Sequence, residues 1–490
     1  MSADSAVRTT PQSVLDALPT GLFIGGRWQP TDRTFPVTNP ATDETLAEVA
    51  DAGPEQAVQA LDAACAAGPG WAATLPRKRS EVLRRAYDLV VERRDLFATC
   101  MTLEMGKPLA ESYGEVTYGG EFLRWFSEEA VRIWGRYGTA PSSGQRILTT
   151  KQPVGPVYAI TPWNFPLAMG TRKIGPALAA GCTVVVKPAH DTPLTTLLLM
   201  QVFADAGLPA GVVNCVTSSS SSAVSAPILS DPRLRKLTFT GSTSVGKSLL
   251  HQAADHVLRT SMELGGNAPL LVLPSADVDR AVQGALDAKM RNVGEACTAA
   301  NRLYVHAPLA DEFAARLAQR MRALQVGNGL EEGVQVGPLI TERQLGTVTE
   351  LLDDAVTRGG TVVTGGERIE GPGHFLQPTV VTGVPHDARV MREEIFGPFA
   401  PITTFETVDE AVALANNTEY GLMSYVFSEN LGEALGTAER LESGMVALNS
   451  GVVSDPAAPF GGVKQSGLGR EGSHEGIEEY LETKYIGIRL

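Results

Sequence analysis

The sequence predicts an α/β fold built on open parallel sheets, and three observations carry that prediction. From about residue 150 a strand–turn–helix pattern repeats. A second such stretch runs from about Pro269 to Asn449. The chain also places 50 glycines and 31 prolines where alternating strands and helices would need tight turns. At 490 residues it exceeds what one hydrophobic core usually serves, so two or three domains are expected.

Taken in order, residues 1 to about 20 read as a loose N-terminal arm. Phe23–Trp28 and Phe35–Thr38 suggest short strands with a turn between. Apolar residues at three- and four-residue intervals then predict helices over Pro54–Ala67, Arg77–Glu104 and Leu109–Ile133. Val157–Thr161 is an apolar run leading through a turn to a helix across Gly175–Ala180. Thr183–Lys187 (TVVVK) is a β-branched run closed by Pro188, with a helix over Leu194–Ala206 behind it. Val212–Thr217 and Lys236–Thr240 read as two more strands. In the second stretch the strand candidates are Leu270–Leu273, Arg302–His306, Thr361–Thr364 and Ile402–Phe405. The tail, Gly461–Leu490, ends in an alternating run, Tyr480–Ile488, able to pair with another sheet. Ser218–Ser222 is the one low-complexity patch and reads as a loop; no internal repeat is evident. In sheets of this kind ligands bind beyond the carboxyl ends of the strands, where the unusual residues sit.

Composition narrows the function. Hydrophobic residues make up 43% and charged residues 20%, an ordinary globular balance. With 41 Lys and Arg against 55 Asp and Glu the net charge is −14, which argues against sequence-independent nucleic-acid binding. It leaves an anionic small substrate open, because a local arginine pocket can sit within an acidic surface. MSADSAVRTTPQSV has no apolar core, so no secretory signal is expected. No run of about 18 apolar residues predicts a membrane span. Cys65, Cys100, Cys182, Cys215 and Cys297 are odd in number and far apart, without a Cys-x-x-Cys pair. Neither a metal site nor a disulfide framework is indicated, and a reducing cytoplasm fits.

Two glycine motifs compete for attention. GSTSVGKS (Gly241–Ser248) matches the P-loop pattern and follows the strand candidate KLTFT, so a nucleotide hydrolase is a remote alternative. Such an enzyme needs a strand ending in an Asp for magnesium, and Leu270–Leu273 ends in Pro274 and Ser275. The other reading is a glycine turn presenting N–H groups to a pyrophosphate. GLGREG (Gly467–Gly472) matches a dinucleotide fingerprint, yet too little chain follows for a βαβ unit.

Six segments in order carry the chemistry: TPWNFP (Thr161–Pro166), VVVKPA (Val184–Ala189), MELGGN (Met262–Asn267), GEACTAANR (Gly294–Arg302), EEIFGP (Glu393–Pro398) and PFGGVKQSGLGREG (Pro459–Gly472). By these the chain resembles the aldehyde dehydrogenase superfamily over nearly its whole length, and within it the succinate-semialdehyde dehydrogenases. A free cysteine is most often a buried inert thiol. Cys297, however, has small neighbours at Gly294, Ala296, Ala299 and Ala300 that let a substrate approach, and a thiolate is a strong nucleophile. The resemblance implies that Cys297 attacks the aldehyde carbon. It gives Asn164 the oxyanion-donor role beside the cysteine's own N–H, and Glu263 the role of base for thioester hydrolysis, which partial burial would suit. Read alone, Asn164 is a turn residue and Glu263 a solvated acid near a Gly-Gly turn.

For the cofactor, NAD or NADP, the resemblance implies Lys187 on the adenosine-ribose hydroxyls, with Pro188, Ala189 and His190 beside it. Gly241, Ser242, Thr243, Ser244, Val245 and Gly246 face the pyrophosphate. Glu394 holds the nicotinamide ribose, with Phe396 close to the nicotinamide. Thr161, Pro162, Trp163 and Leu264 line the path. His190 stands where many NAD-preferring relatives carry a glutamate, so NADP is expected to be tolerated beside NAD. The serine run stands where relatives often carry a glycine-rich loop. Arg172, Arg291 and Ser454 match residues that bind the substrate's far carboxylate, for which arginine is the bidentate partner. The position two residues beyond the nucleophile, a second cysteine in some relatives, is Ala299, so no loop disulfide is expected.

The resemblance also implies a Rossmann-type dinucleotide-binding domain (1–143 and 158–268) and an α/β catalytic domain (269–449). A small β oligomerisation arm with the C-terminal tail (144–157 and 450–490) completes the fold and implies a homodimer or homotetramer. Glutarate semialdehyde is the runner-up substrate. A cysteine hydrolase would need a histidine base, and His306, the nearest in sequence to Cys297, has nothing to recommend it. A non-catalytic relative is argued against by the intact Cys297, Glu263 and Asn164 set.

Overall fold

The structure is a computed structural model that describes residues 10–489. Two sheets with parallel cores carry most of the chain. In the first, Arg259–Glu263, Lys236–Thr240, Val157–Ile160, Val184–Lys187 and Val213–Cys215 lie parallel in that spatial order. Gly467–Leu468 closes one edge antiparallel, and Leu22–Ile24 with Arg27–Gln29 closes the other. Both faces of this sheet are covered, which explains its continuous apolar runs. Val184 and Val186 pack with Leu197 and Phe203, whereas Val185 packs with Leu61 and Val224 on the opposite side.

The second sheet runs Thr361–Thr364, Thr379–Thr382, Phe399–Phe405, Ala300–His306, Ala268–Val272, Met423–Phe427 and Met445–Leu448. All neighbours are parallel except the first pair. Glu263 ends a strand of one sheet and Ala268 begins a strand of the other, so Leu264–Asn267 crosses between them. A third, antiparallel sheet pairs Leu481–Ile488 with Arg146–Pro153, Leu481 opposite Pro153, and adds Arg136–Thr139. The alternating tail thus finds its partner strand. No helix among the described residues is long and apolar enough to cross a membrane.

The structure departs from expectation at several places, each with a physical reason. Of the loose arm, residues 1–9 lie outside the described residues. Pro11–Leu15 is a short helix capped by Thr10, anchored because Val14 and Leu18 are buried in the core. The single helix expected over Arg77–Glu104 is two, Pro76–Glu92 and Arg94–Met105, broken at Arg93. Both pack against Leu109–Glu129, which one straight helix could not do. The serine run is not all loop: Ser221 starts the helix Ser221–Leu229. Ser218 and Ser219 instead bind the Asp51 carboxylate, with Ser219 N–H donating at 3.0 Å and its Oγ at 2.8 Å. In GLGREG, Gly467–Leu468 serves as an edge strand against Met262 and Glu263. Gly467, at φ 143°, comes so near the Met262 carbonyl that a Cβ would collide with it.

The buried Arg302 ties the inter-sheet crossing to the second sheet. It donates to Asn267 O at 2.8 Å, Leu414 O at 3.1 Å and Ala415 O at 2.9 Å. Arg302→Met would strand these carbonyls in the core. It should lower the urea midpoint by an amount equivalent to ~3 kcal/mol; an unchanged midpoint would contradict the role.

Candidate active site

A cavity of about 270 Å³ opens where the carboxyl edge of the first sheet faces the amino edge of the second. The first sheet supplies Pro162, Trp163 and Asn164 after Val157–Ile160. It also supplies Gly241 and Ser242 after Lys236–Thr240, and Leu264 after Arg259–Glu263. From the other side come Arg291 and Cys297, just before Ala300–His306, with Glu394 and Phe396 before Phe399–Phe405. Arg172 and Ser454 complete the expected residues on the wall. Glu263 is not on this wall. It lies just behind, 2% exposed, with neither carboxylate oxygen hydrogen-bonded.

Burial controls the site's proton chemistry. Cys297, partly exposed to the cavity, has its thiol pushed up to about 12 by loss of water, against the pull of Arg172; Glu394 and Glu263 add to the rise. Glu263 is likewise held well above the usual carboxylate range, first by burial and then by Glu471, against Arg172 and Lys173. Glu471 forms ion pairs with Arg172 and Lys173, and these two cations hold its carboxyl below the ordinary range although burial opposes them. Burial also raises Glu394 to about 7, while the Gly266 N–H donates to it at 3.1 Å.

The two arginines are not equivalent. Arg172 is 1% exposed, paired with Glu471 and stacked 4.2 Å over the Phe460 ring. Arg291 donates to Ser454 Oγ at 3.3 Å and stacks 5.0 Å over Phe165. No carboxylate lies within ion-pair distance of Arg291 among the described residues. The sequence places both arginines on one pocket, but nothing near either of them signals Glu471, which lies in the distant PFGGVKQSGLGREG segment.

For a dinucleotide, the observed groups fit. Trp163 and Phe396 cross edge-to-face at 5.3 Å, leaving an aromatic slot beside Cys297. Gln344 donates to Phe396 O at 2.8 Å and pins that residue at φ 52°. Ser242 precedes the helix Thr243–Ala254, whose first turn also holds Ser244, Val245 and Gly246 and points free N–H groups outward. A Cβ at Gly246 would collide with Leu264. Thr161 Oγ1 and Thr240 Oγ1 are buried without partners at the strand ends. Lys187 ends its strand with Nζ on Pro188 O at 2.9 Å, lowered to about 8 by burial, and Ala189 follows. His190 is exposed and within 3.2 Å of the Asp191 carboxylate. Lys247, the lysine of the P-loop pattern, instead donates to Gln465 Oε1 at 2.5 Å. The strands flanking Lys236–Thr240 end in Ile160 and Glu263, so neither offers the expected Asp. Among the described residues no cluster of His, Cys, Asp and Glu could hold a metal ion.

The profile of the aldehyde dehydrogenase family matches residues 28–486. A succinate-semialdehyde dehydrogenase of Paenarthrobacter nicotinovorans is 58% identical over 90% of this chain and 98% of its own. The succinate-semialdehyde dehydrogenase [NADP(+)] of Escherichia coli and the glutarate-semialdehyde dehydrogenase of Pseudomonas putida are each 47% identical, over 96% of this chain and 97% of theirs. The crystal structure of succinate-semialdehyde dehydrogenase from Burkholderia pseudomallei superposes with a TM-score of 0.95 at 46% identity, covering 96% of this chain and 98% of that one.

A thiol raised to about 12 titrates far above an ordinary cysteine. Without cofactor, the rate of Cys297 alkylation by iodoacetamide should rise about tenfold per pH unit from pH ~7 to ~10. A plateau near the ordinary thiol value of ~8.5 would contradict the burial argument.

Proposed function

The chain belongs to the aldehyde dehydrogenase family, and from that premise we propose that it oxidises succinate semialdehyde to succinate with NAD or NADP. One observation carries the choice of substrate: Arg291, hydrogen-bonded to Ser454 and lacking a carboxylate partner, stands on the same wall as Cys297. A substrate carboxylate would complete the guanidinium and leave the aldehyde end towards the thiol. Arg172 would have to give up Glu471 to do the same, so its part is to add positive field. The names of the relatives support the same substrate class.

In this reading the Cys297 sulfur bonds to the aldehyde carbon as its proton leaves to solvent. The carbonyl oxygen takes the negative charge, and the Asn164 amide with the Cys297 N–H are the donors. The nicotinamide, when bound, supplies the acceptor for the carbon's hydride. A thioester on Cys297 remains. Glu263 then takes a proton from water as the hydroxide adds to the thioester, and succinate departs with the thiol restored. Because burial raises Glu263, the fraction able to accept that proton grows with pH, and alkaline solution favours the hydrolytic half.

Lys187, Glu394, Phe396 and the Gly241–Gly246 turn would hold the dinucleotide. We propose that NAD and NADP are both accepted: His190 does not repel a 2′-phosphate as a glutamate there would, and the E. coli relative is named for NADP. The five cysteines are unpaired, which suits a cytoplasmic setting. Exposed Tyr137, Tyr485 and Ile486 on the three-stranded sheet support a homodimer or homotetramer built through that arm.

The glutarate homologue is the second reading, favoured by the P. putida relative's name. Steady-state rates on succinate semialdehyde, glutarate semialdehyde and an uncharged aldehyde with each cofactor decide among them. Arg291→Ala should raise KM for succinate semialdehyde about 100-fold, as a charge-assisted bidentate contact of ~3 kcal/mol implies, with butanal little changed. Equal loss on both aldehydes would remove the carboxylate clamp.

A further inference from the structure

The turn before Cys297 is strained, and its restraints lead to Asn164. Asn292, Val293 and Gly294 stand in succession at φ 55°, 60° and 80°. Such a backbone is costly for asparagine and more so for β-branched valine. It persists because Asn292, fully buried, is tied on three sides. Its N–H donates to Glu111 Oε2 at 2.7 Å, and its Nδ2 donates both to Asn164 O at 3.0 Å and to Glu295 O at 2.9 Å. Asn164 Nδ2 donates to the same Glu295 carbonyl at 3.0 Å.

The Asn164 side is held as firmly. Lys107 Nζ, buried, donates to Asn164 O at 2.8 Å and to Glu115 at 2.5 Å. The other Glu115 oxygen accepts from Leu167 and Ala168 N–H, fixing the start of the helix Ala168–Ala180. A small apolar cluster lies alongside, with Phe165 and Met169 against Ala296 and Ala299. Asn292 therefore bonds both the segment carrying Asn164 and the segment carrying Cys297, beside the direct bond from the Asn164 amide to Glu295 O.

We propose that Asn292, seconded by Lys107, is a positioning residue that sets the two halves of the oxyanion site against each other. It touches neither substrate nor cofactor. The strained turn brings Cys297 up, and the shared Nδ2 fixes how far its N–H stands from the Asn164 amide. The inference rests on the reading of Cys297 as nucleophile and Asn164 as oxyanion donor. Two donors 1 Å out of place stabilise a tetrahedral oxyanion poorly, yet leave the sulfur free to react with a saturated carbon, where no oxyanion forms.

That difference provides the test. Asn292→Gly removes the amide and suits a positive φ, so the backbone is not further strained. Lys107→Met checks the result from the other side. Both variants should lose kcat by ~10- to 100-fold, equally on succinate semialdehyde and butanal. KM, cofactor affinity by fluorescence titration, and the rate of Cys297 alkylation by iodoacetamide should stay within about twofold. An unchanged kcat would overturn the proposal. So would alkylation that falls in step with kcat, which marks general disorder of the turn. Should alkylation of Cys297 leave wild-type turnover intact, the underlying reading fails instead, and the two failures are thereby told apart.

Discussion

Loss of water from one seam governs the chemistry of this protein. Cys297 and Glu263 stand on opposite sides of the meeting line between two sheets, and burial favours the protonated form of each. A thiol at about 12 is safe from oxidation and disulfide exchange at rest, because the reactive thiolate is scarce. The same dryness gives fixed donors and cations their strength once charge develops. The resting enzyme is thus quiet for the reason that makes the occupied one effective.

The seam follows from topology. Parallel strands deliver their carboxyl-end loops to one edge, and the Leu264–Asn267 crossing sends the chain into the next sheet with its amino edge facing back. Loops from six separate segments converge there without any of them being long. The positive charges are divided by use: Arg172 and Lys173 offset Glu471 behind the cavity, while Arg291 is left with a hydroxyl neighbour. An arginine whose charge is already paired is a weak ligand for a second anion, since the new ion must compete with the first.

Much of this was readable in the residues. Short β-branched runs such as TVVVK are buried on both faces, so composition alone marks them. The six segments place Cys297, Asn164, Glu394 and Phe396 on one cavity as the resemblance implies. What sequence could not give is pairing across distance. Glu471 beside Arg172, Asp51 beside Ser218 and Ser219, and Glu111 beside Asn292 are separated by 167 residues or more and carry no local periodicity. The helix break at Arg93 was equally invisible: the apolar spacing continues through it, and only the need to pack two helices on a third bends the chain. EMGKPLAESYGE held a signal in retrospect, because a lysine and three glutamates within a largely apolar stretch must find partners once buried.

The account stands on a covalent bond to one sulfur. Acid-quenching the enzyme with Glu263→Gln during turnover, then mapping peptides by mass spectrometry, tests it most directly. The account predicts a mass increase of one succinyl group, carried on Cys297 and accumulating because hydrolysis is slowed. An unmodified Cys297 in an enzyme that is still reducing cofactor, or an acyl group on any other side chain, would contradict it.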